Sequence, residues 1–394
     1  MKSRAILVRR WTLAAGLLLL NECAWGAPSS TSIFSNKTTP AHELNDLSMF
    51  VLGITGLIFI GVSSLLVYAI VKFRARKGDT TEPPQVFGSM QIELSWTIIP
   101  ILIIVVLFLT TTRVLFSVQD APKPKDALDV IVVGHQFWWE FRYPQYNVVT
   151  ANELHLPVSS KDEPRPAFMK LTSADVMHSF WVPQLDGKTD LLPNRVNEMW
   201  IDPRETGLYL GQCAQFCGPE HAKMLLRVYV DTPEQFNAWI TSQQRTQAEL
   251  TAVPGGLQAG ANDTAPNVGN EAGVVQAATT KAPPNSPTTR GNVTPALGES
   301  QAISAQTGQY VFEHEACISC HTVAGTVATG RYGPDLTHLM SRETIASGAV
   351  PNTKENLLSW INDPSQMKPG SLMPAMHLSD RQNQQITAYL MTLK

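Results

Sequence analysis

Charge is scarce in this chain. Charged residues make up 16% of its 394 residues and nearly cancel, to a net −3. No basic excess offers a polyanion a surface, so a nucleic-acid partner is excluded. Cysteine is scarce too, with five in all. Residues 1–26 read as a secretory signal peptide. Lys2, Arg4, Arg9 and Arg10 precede an apolar run, Leu13–Leu20, that is too short to span a membrane, and Ala24-Trp25-Gly26 is a small-x-small cleavage site. Cys23 leaves with that segment; Asn21 and Glu22 before it argue against a lipoprotein anchor. The other four cysteines all fall in two short motifs. None remains to staple the fold, so in an oxidising compartment these thiols need protection by a metal or a haem.

Two stretches lack charge altogether, Met49–Val71 and Leu94–Thr112. At about 1.5 Å per residue each can cross a hydrocarbon core of about 30 Å. They predict a transmembrane hairpin over 27–117, with spans at 48–71 and 94–116. The loop between them opens Lys72-Phe-Arg74-Ala-Arg76-Lys77, whereas Glu43, Asp46 and Asp120 flank the far ends. The positive-inside rule puts that loop in the cytoplasm and everything after about 117 outside.

Residues 118–245 predict an all-β domain followed by one helix. Short β-branched and aromatic runs at 128–133, 137–143, 169–172, 198–201, 208–212 and 225–230 are separated by Gly, Pro, Asn and Asp turns, the pattern of a sandwich or small barrel. Thr232, Pro233 and Gln235 form a helix start. From 246 to 302 the composition falls to Ala, Gly, Thr, Pro and Asn, which cannot bury a core and predicts a flexible linker spanning roughly 40 Å. Helical periodicity returns over 303–394, with starts at Thr353 and Ser379.

The first cysteine motif is Cys213-x3-Cys217-x3-His221-x2-Met224, with His178 upstream. Thiolate, imidazole and thioether are the soft donor set that suits copper. A single-copper blue site needs one cysteine; two cysteines, two histidines and a methionine fit a two-copper cluster with bridging thiolates. The second motif, Cys317-Ile-Ser-Cys320-His321, is the attachment sequence of a c-type haem. A zinc site would need a second cysteine pair, and the first motif already uses Cys213 and Cys217. Both centres carry single electrons.

Residues 40–243 resemble subunit II of the haem–copper oxidases. The resemblance is carried by Glu93-Leu-Ser-Trp96-Thr-Ile-Ile-Pro100, Gly134-His135-Gln136-Phe137-Trp138-Trp139, His178-Ser-Phe-Trp-Val-Pro, Gly187-Lys188-Thr189-Asp190 and the complete cysteine loop. It implies a cupredoxin-like Greek-key sandwich holding a dinuclear CuA centre. Cys213 and Cys217 would bridge the coppers, His178 and His221 would be terminal ligands, and Met224 and the backbone carbonyl of Gln215 would be weak ones. Many members carry Glu at position 215, where the side chain helps hold Mg²⁺ against subunit I; Gln215 puts that Mg²⁺ in doubt. Members also usually carry, where Phe137 stands, the Trp that receives electrons from soluble cytochrome c. Phe137, Trp138 and Trp139 are therefore the candidates for receiving electrons. Glu93 matches a carboxylate at the mouth of a proton path into subunit I.

Residues 303–394 resemble an all-α class I cytochrome c. Three methionines compete for the sixth haem position: Met367, Met373 and Met376. Lys368-Pro369-Gly370-Ser-Leu-Met373-Pro374 resembles the methionine loop of that family and selects Met373. Tyr332-Gly333-Pro334 resembles the segment whose proline carbonyl accepts the His321 N–H.

The whole chain resembles the caa type of cytochrome c oxidase subunit II. That implies electrons received at haem c, passed to CuA and on to subunit I, which reduces O2 to water with proton translocation. Subunits I and III, an upstream respiratory donor and the lipid bilayer would be its partners. Both redox domains would lie on the periplasmic side of a bacterial inner membrane. A quinol oxidase subunit lacks the copper ligands present here, and nitrous-oxide reductase lacks the membrane hairpin. A tethered carrier acting alone shares the ligands but gives no reason for Glu93.

Overall fold

Thr38 starts the first helix. Its side chain accepts the Ala41 amide, Pro40 follows within the first turn, and α1 then runs Thr39–Lys72. A second helix, α2, covers Met90–Gln119 and contacts α1. The computed structural model describes residues 31–74, 78, 82, 85, 87–119, 123, 127–160, 164–251 and 302–394, with the backbone alone at 245–251. The expected signal peptide and most of the expected linker lie outside the described residues. Both helices are long and apolar enough to cross a membrane, and no residue in their most apolar stretches is buried. Leu57, Phe59, Val71 and Phe108 are exposed, a surface that only lipid or another apolar partner covers favourably. The helices extend beyond the predicted spans, because their ends are built into the next domain.

That domain is a sandwich of two five-stranded sheets. Its strands are β1 (Leu128–His135), β2 (Trp138–Tyr143), β3 (Val148–Ala151), β4 (Glu153–Pro157), β5 (Ala167–Ser173), β6 (His178–Trp181), β7 (Thr189–Leu191), β8 (Asn197–Ile201), β9 (Gly207–Cys213) and β10 (Leu225–Asp231). One sheet runs β3-β2-β1-β5-β8 and the other β4-β10-β9-β6-β7. Burial alternates along Leu225–Asp231, where every second side chain is buried. Trp139, Phe141, Tyr143, Leu154 and Phe180 fill the space between the sheets. Each of the six strands expected from sequence is present. The runs at β3, β4, β6 and β7 are only three to five residues long and were not anticipated.

Thr232 and Gln235 exchange the two hydrogen bonds of a capping box and start α3, Pro233–Thr251. The helix continues past 245, so the first residues assigned to the linker are helical. Residues 302–394 form a separate helical body around their own core, which includes Phe312, Leu357, Ile361, Ile386 and Leu390. Its helices are α4 (Ala305–His314), α5 (Cys317–Cys320), α6 (Lys354–Asn362), α7 (Pro364–Met367) and α8 (Asp380–Leu390), with a two-residue ladder of β11 (Thr344–Ile345) and β12 (Val350–Pro351). Thr353 and Ser379 cap α6 and α8 as expected.

The membrane helices are fastened to the sandwich at both outer ends. Asp202, buried at the end of β8, accepts the Thr39 amide at 2.7 Å, the Thr39 hydroxyl at 2.6 Å and Arg204 Nη2 at 2.6 Å. The Thr38 hydroxyl donates to the Leu185 carbonyl. At the other helix, Trp200 Nε1 donates to the Val118 carbonyl at 2.6 Å. Replacing Asp202 with Ala leaves a helix-start N–H and Arg204 without this acceptor. Asp202→Ala should lower the unfolding free energy of the sandwich by about 1–3 kcal/mol, read as a lower melting temperature in detergent. An unchanged melting curve would remove this fastening from the account.

Candidate redox centres

The copper-type donors meet because β6 and β9 are neighbours. Phe180 pairs with Cys213, and the Ala214 amide donates to the Ser179 carbonyl at 2.9 Å. This register sets His178, at the start of β6, beside the end of β9. The chain then leaves the sheet, forms a 3-10 turn at His221–Lys223, and returns as β10, where the Cys213 amide donates to the Met224 carbonyl at 3.0 Å. Gly218 takes φ +138°, and a Cβ there would meet the Phe137 ring at 2.9 Å, so the loop needs glycine at this point.

The two sulfurs are 3.9 Å apart, too far for a disulfide. Cys213 Sγ lies 3.9 Å from His178 Nδ1 and 3.1 Å from the Gln215 carbonyl. Cys217 Sγ lies 3.7 Å from His221 Nδ1 and 3.8 Å from Met224 Sδ. Ligand atoms of His178, Cys213 and Cys217 all fall within 4.8 Å of one another, and all three residues are buried. The soft donor set and its closeness fit copper. The Cys217 hydrogen bond, with help from His178, overcomes burial and holds the Cys213 thiol well below its usual range. The neighbouring Cys213 sulfur pushes Cys217 upward in the metal-free site.

Asp175 was not foreseen from the sequence. His178 Nε2 donates to its carboxylate at 2.8 Å, which leaves Nδ1 free to face the sulfurs. Burial opposes an imidazolium at His178, but the Asp175 bond and the Cys213 sulfur outweigh it and raise the His178 pKa. Asp175 is itself held by the Gln136 amide at 2.6 Å, and the Gln136 side chain donates to the Cys217 carbonyl at 2.6 Å. An acidic residue three positions before a candidate ligand was the available signal.

The haem-type residues line a mainly apolar cavity of about 430 Å³. Cys317 and Cys320 open towards it from α5, and His321 follows with Nδ1 donating to the Pro334 carbonyl at 2.8 Å. Burial lowers the His321 pKa against the Pro334 bond, which keeps the imidazole neutral and able to ligate. A Cβ on Gly333 would meet the His321 ring at 2.5 Å. Met373 and Met376 both line the cavity, whereas Met367 is not among its lining residues. Cavity and donors fit a covalently attached haem.

The aromatic candidates separate. Phe137 and Trp138 line the same cavity from the sandwich side, and Trp138 stacks on His135 at 4.1 Å. Trp139 is wholly buried instead, edge-on to Phe180 at 5.7 Å, and does not reach the cavity. Glu93 sits in the first turn of α2. Roughly 38 Å of helix separates it from Val118, where the sandwich begins.

The fold and these two centres define a membrane-anchored electron-transfer protein with a sandwich domain and a cytochrome domain. Family profiles match three successive segments: cytochrome c oxidase subunit II, transmembrane domain, at 28–114; its periplasmic domain at 152–230; and cytochrome c at 305–394. The chain is 31% identical over 351 residues to cytochrome c oxidase subunit 2 of Alkalihalophilus pseudofirmus, covering 86% of each chain. It is 28% identical over 415 residues to cytochrome c oxidase subunit 2 of Bacillus subtilis, covering 98% of this chain and 99% of the relative. Among solved structures, the periplasmic domain of cytochrome oxidase subunit II (CoxB) of Bradyrhizobium japonicum matches at 28% identity and a TM-score of 0.29, covering 32% of this chain and 96% of that one. The chain belongs to the cytochrome c oxidase subunit II family, in the form that carries its own cytochrome c domain. Copper and haem c are the cofactors those domains imply.

Asp175→Ala should lower copper affinity about 10–100-fold while leaving the haem spectrum unchanged. Copper competition titrations of the purified protein check this. Wild-type affinity would reduce Asp175 to a loop-shaping residue.

Proposed function

We propose that Cys213 and Cys217 bridge two coppers, with His178 and His221 as terminal ligands and Met224 and the Gln215 carbonyl as weak ones. The carrying observation is the convergence of the Cys213–Met224 loop donors with His178 of β6 around two buried sulfurs. In the same reading Cys317 and Cys320 bind haem by thioether bonds, His321 is the proximal ligand, oriented by Pro334, and Met373 is the distal ligand. Haem c and the copper pair, when bound, supply one-electron chemistry without protons. The residues around them hold ligands still and exclude water.

As a cytochrome c oxidase subunit 2, the chain passes electrons to the haem–copper subunit I. The finer reading has electrons arriving at the haem domain from a respiratory donor and crossing by way of Phe137 and Trp138 to the copper loop. Both redox domains lie on the outer side of the bacterial inner membrane, because the basic flank of α1 belongs inside. Glu93 then stands at the cytoplasmic end of α2, where a carboxylate can collect protons for subunit I. The Gln215 side chain supplies no carboxylate to a Mg²⁺ at the subunit I contact. Subunit III completes the assembly.

Metal analysis and EPR test the copper reading. The intact protein should hold two coppers and one haem, with the unpaired electron shared by both coppers. Cys217→Ser should abolish that signal and spare the haem; a variant still loaded with two coppers would end the bridging assignment. Met373→Ala should remove the methionine–iron band and lower the haem potential, and Met376→Ala should do neither. The opposite pattern would move the ligand to Met376.

A further inference from the structure

The helical body does not merely follow the sandwich in sequence. It is seated on it, and two buried charged side chains, one from each body, anchor the seating. Glu153, the first residue of β4, is buried. Its carboxylate accepts the Thr344 amide and hydroxyl, each at 2.9 Å, and the Glu343 amide at 3.1 Å. Lys368, in the loop that leads to Met373, is equally buried. Its ammonium donates to the Phe137 carbonyl at 2.8 Å and to the Lys223 carbonyl at 3.0 Å. Among the described residues, the hydrogen-bond partners of both charged groups come from the other domain.

The pattern is reciprocal. The sandwich contributes a carboxylate that the helical body satisfies with backbone N–H groups. The helical body contributes an ammonium that the sandwich satisfies with carbonyls. Charge-assisted bonds of this kind are the strong ones, and a buried charge that loses them carries the full desolvation cost. Smaller contacts follow the same line. Lys223 Nζ donates back to the Met367 carbonyl at 3.2 Å, and Ser347 Oγ donates to the Leu225 carbonyl at 3.0 Å. Gly370, at φ +90°, brings the methionine loop so close to the copper loop that a Cβ would touch Pro219 at 3.3 Å.

The positions of the two charges matter for chemistry. Lys223 immediately precedes Met224, and Phe137 lines the cavity that Met373 also lines. The Lys368 ammonium therefore joins the backbone beside one centre to the aromatic wall of the other. Glu153 supplies a second anchor, from β4 to the Glu343–Thr344 segment, so the helical body is not held by Lys368 alone.

We propose that Glu153 and Lys368 are reciprocal docking residues that hold the haem-binding cavity against Phe137 and Trp138 in the geometry used for electron transfer into the copper loop. They are positioning residues and not assigned ligands: Glu153 lies outside the haem-type cavity, and Lys368 is on its lining with its ammonium turned to the Phe137 and Lys223 carbonyls. In the step they serve, one electron leaves ferrous haem and one is gained by the oxidised copper pair, with no bond made or broken. The inference rests on the assignment of the two centres given above.

The test uses the full-length chain in its assembled oxidase, as wild type, Glu153→Gln, Lys368→Met and the conservative Lys368→Arg. Hydrogen exchange at the Glu343 and Thr344 amides reports docking without reference to activity. Photoreduction of the haem followed by copper re-reduction reports the transfer rate. Glu153→Gln and Lys368→Met should each lose amide protection and slow transfer about tenfold or more. In Glu153→Gln, which lies outside the haem-type cavity, the haem and copper spectra should be unchanged, as should turnover with a donor that reduces copper directly. Lys368→Arg should retain most of the wild-type rate. Wild-type protection and wild-type transfer in both Glu153→Gln and Lys368→Met would overturn the proposal. If the wild type itself moved no electron from haem to copper, the assignment of the electron path would fail, while amide protection would still decide whether these residues dock the domains.

Discussion

The pairing of β6 with β9 is the constraint on which the rest of this molecule depends. It brings His178 to the end of the strand that carries Cys213, and the loop to Met224 must then close over whatever lies between them. Two buried sulfurs 3.9 Å apart are an unfavourable pair of neighbours without a cation, since one thiolate suppresses ionisation of the other. The fold tolerates that arrangement because a soft metal would stabilise both. Gln136, in the β1–β2 turn, braces the loop through the Cys217 carbonyl and holds Asp175 of the β5–β6 turn, which ties the shape of the copper site to the same segment that presents Phe137.

That shared segment explains how two separate cores act as one device. The sandwich core and the cytochrome core draw on different stretches of chain. Each body has its own hydrophobic basis for folding, and the buried charges at the contact between them meet mainly backbone, with an Arg227–Glu343 ion pair beside them. An interface of this type fixes orientation through hydrogen-bond geometry, whereas an apolar one would tolerate sliding. Phe137 fits such an arrangement. A phenyl ring without an N–H has no hydrogen bond to offer a passing soluble donor, but it can line a cavity that is already covered.

Much of this was legible in the sequence, because its signals were chemical. Uncharged runs marked the helices, capping residues marked the starts of α3, α6 and α8, and ligand spacing marked both centres. The short strands β3, β4, β6 and β7 were not legible, since three to five residues carry too little periodicity and their stability comes from cross-sheet neighbours. Asp175 was hidden because its role lies in a contact with His178 that only the turn between β5 and β6 creates. Trp139 shares its composition with Trp138 and both are buried; their neighbouring positions on β2 send Trp138 to the cavity and Trp139 into the sandwich core. Glu153 and Lys368 could not have been found, as their partners lie roughly 190 and 145–231 positions away.

The fastening of both helices to the sandwich carries one more consequence. Asp202 holds the start of α1 and Trp200 holds the end of α2, so the helices act as two legs of a stool. A bilayer thicker or thinner than those legs is accommodated by leaning the whole stool, since neither leg can slide against the seat. The elevation of the copper loop above the lipid is then set by leg length, and lengthening a single helix by one turn would tip the redox domains towards one side rather than lift them.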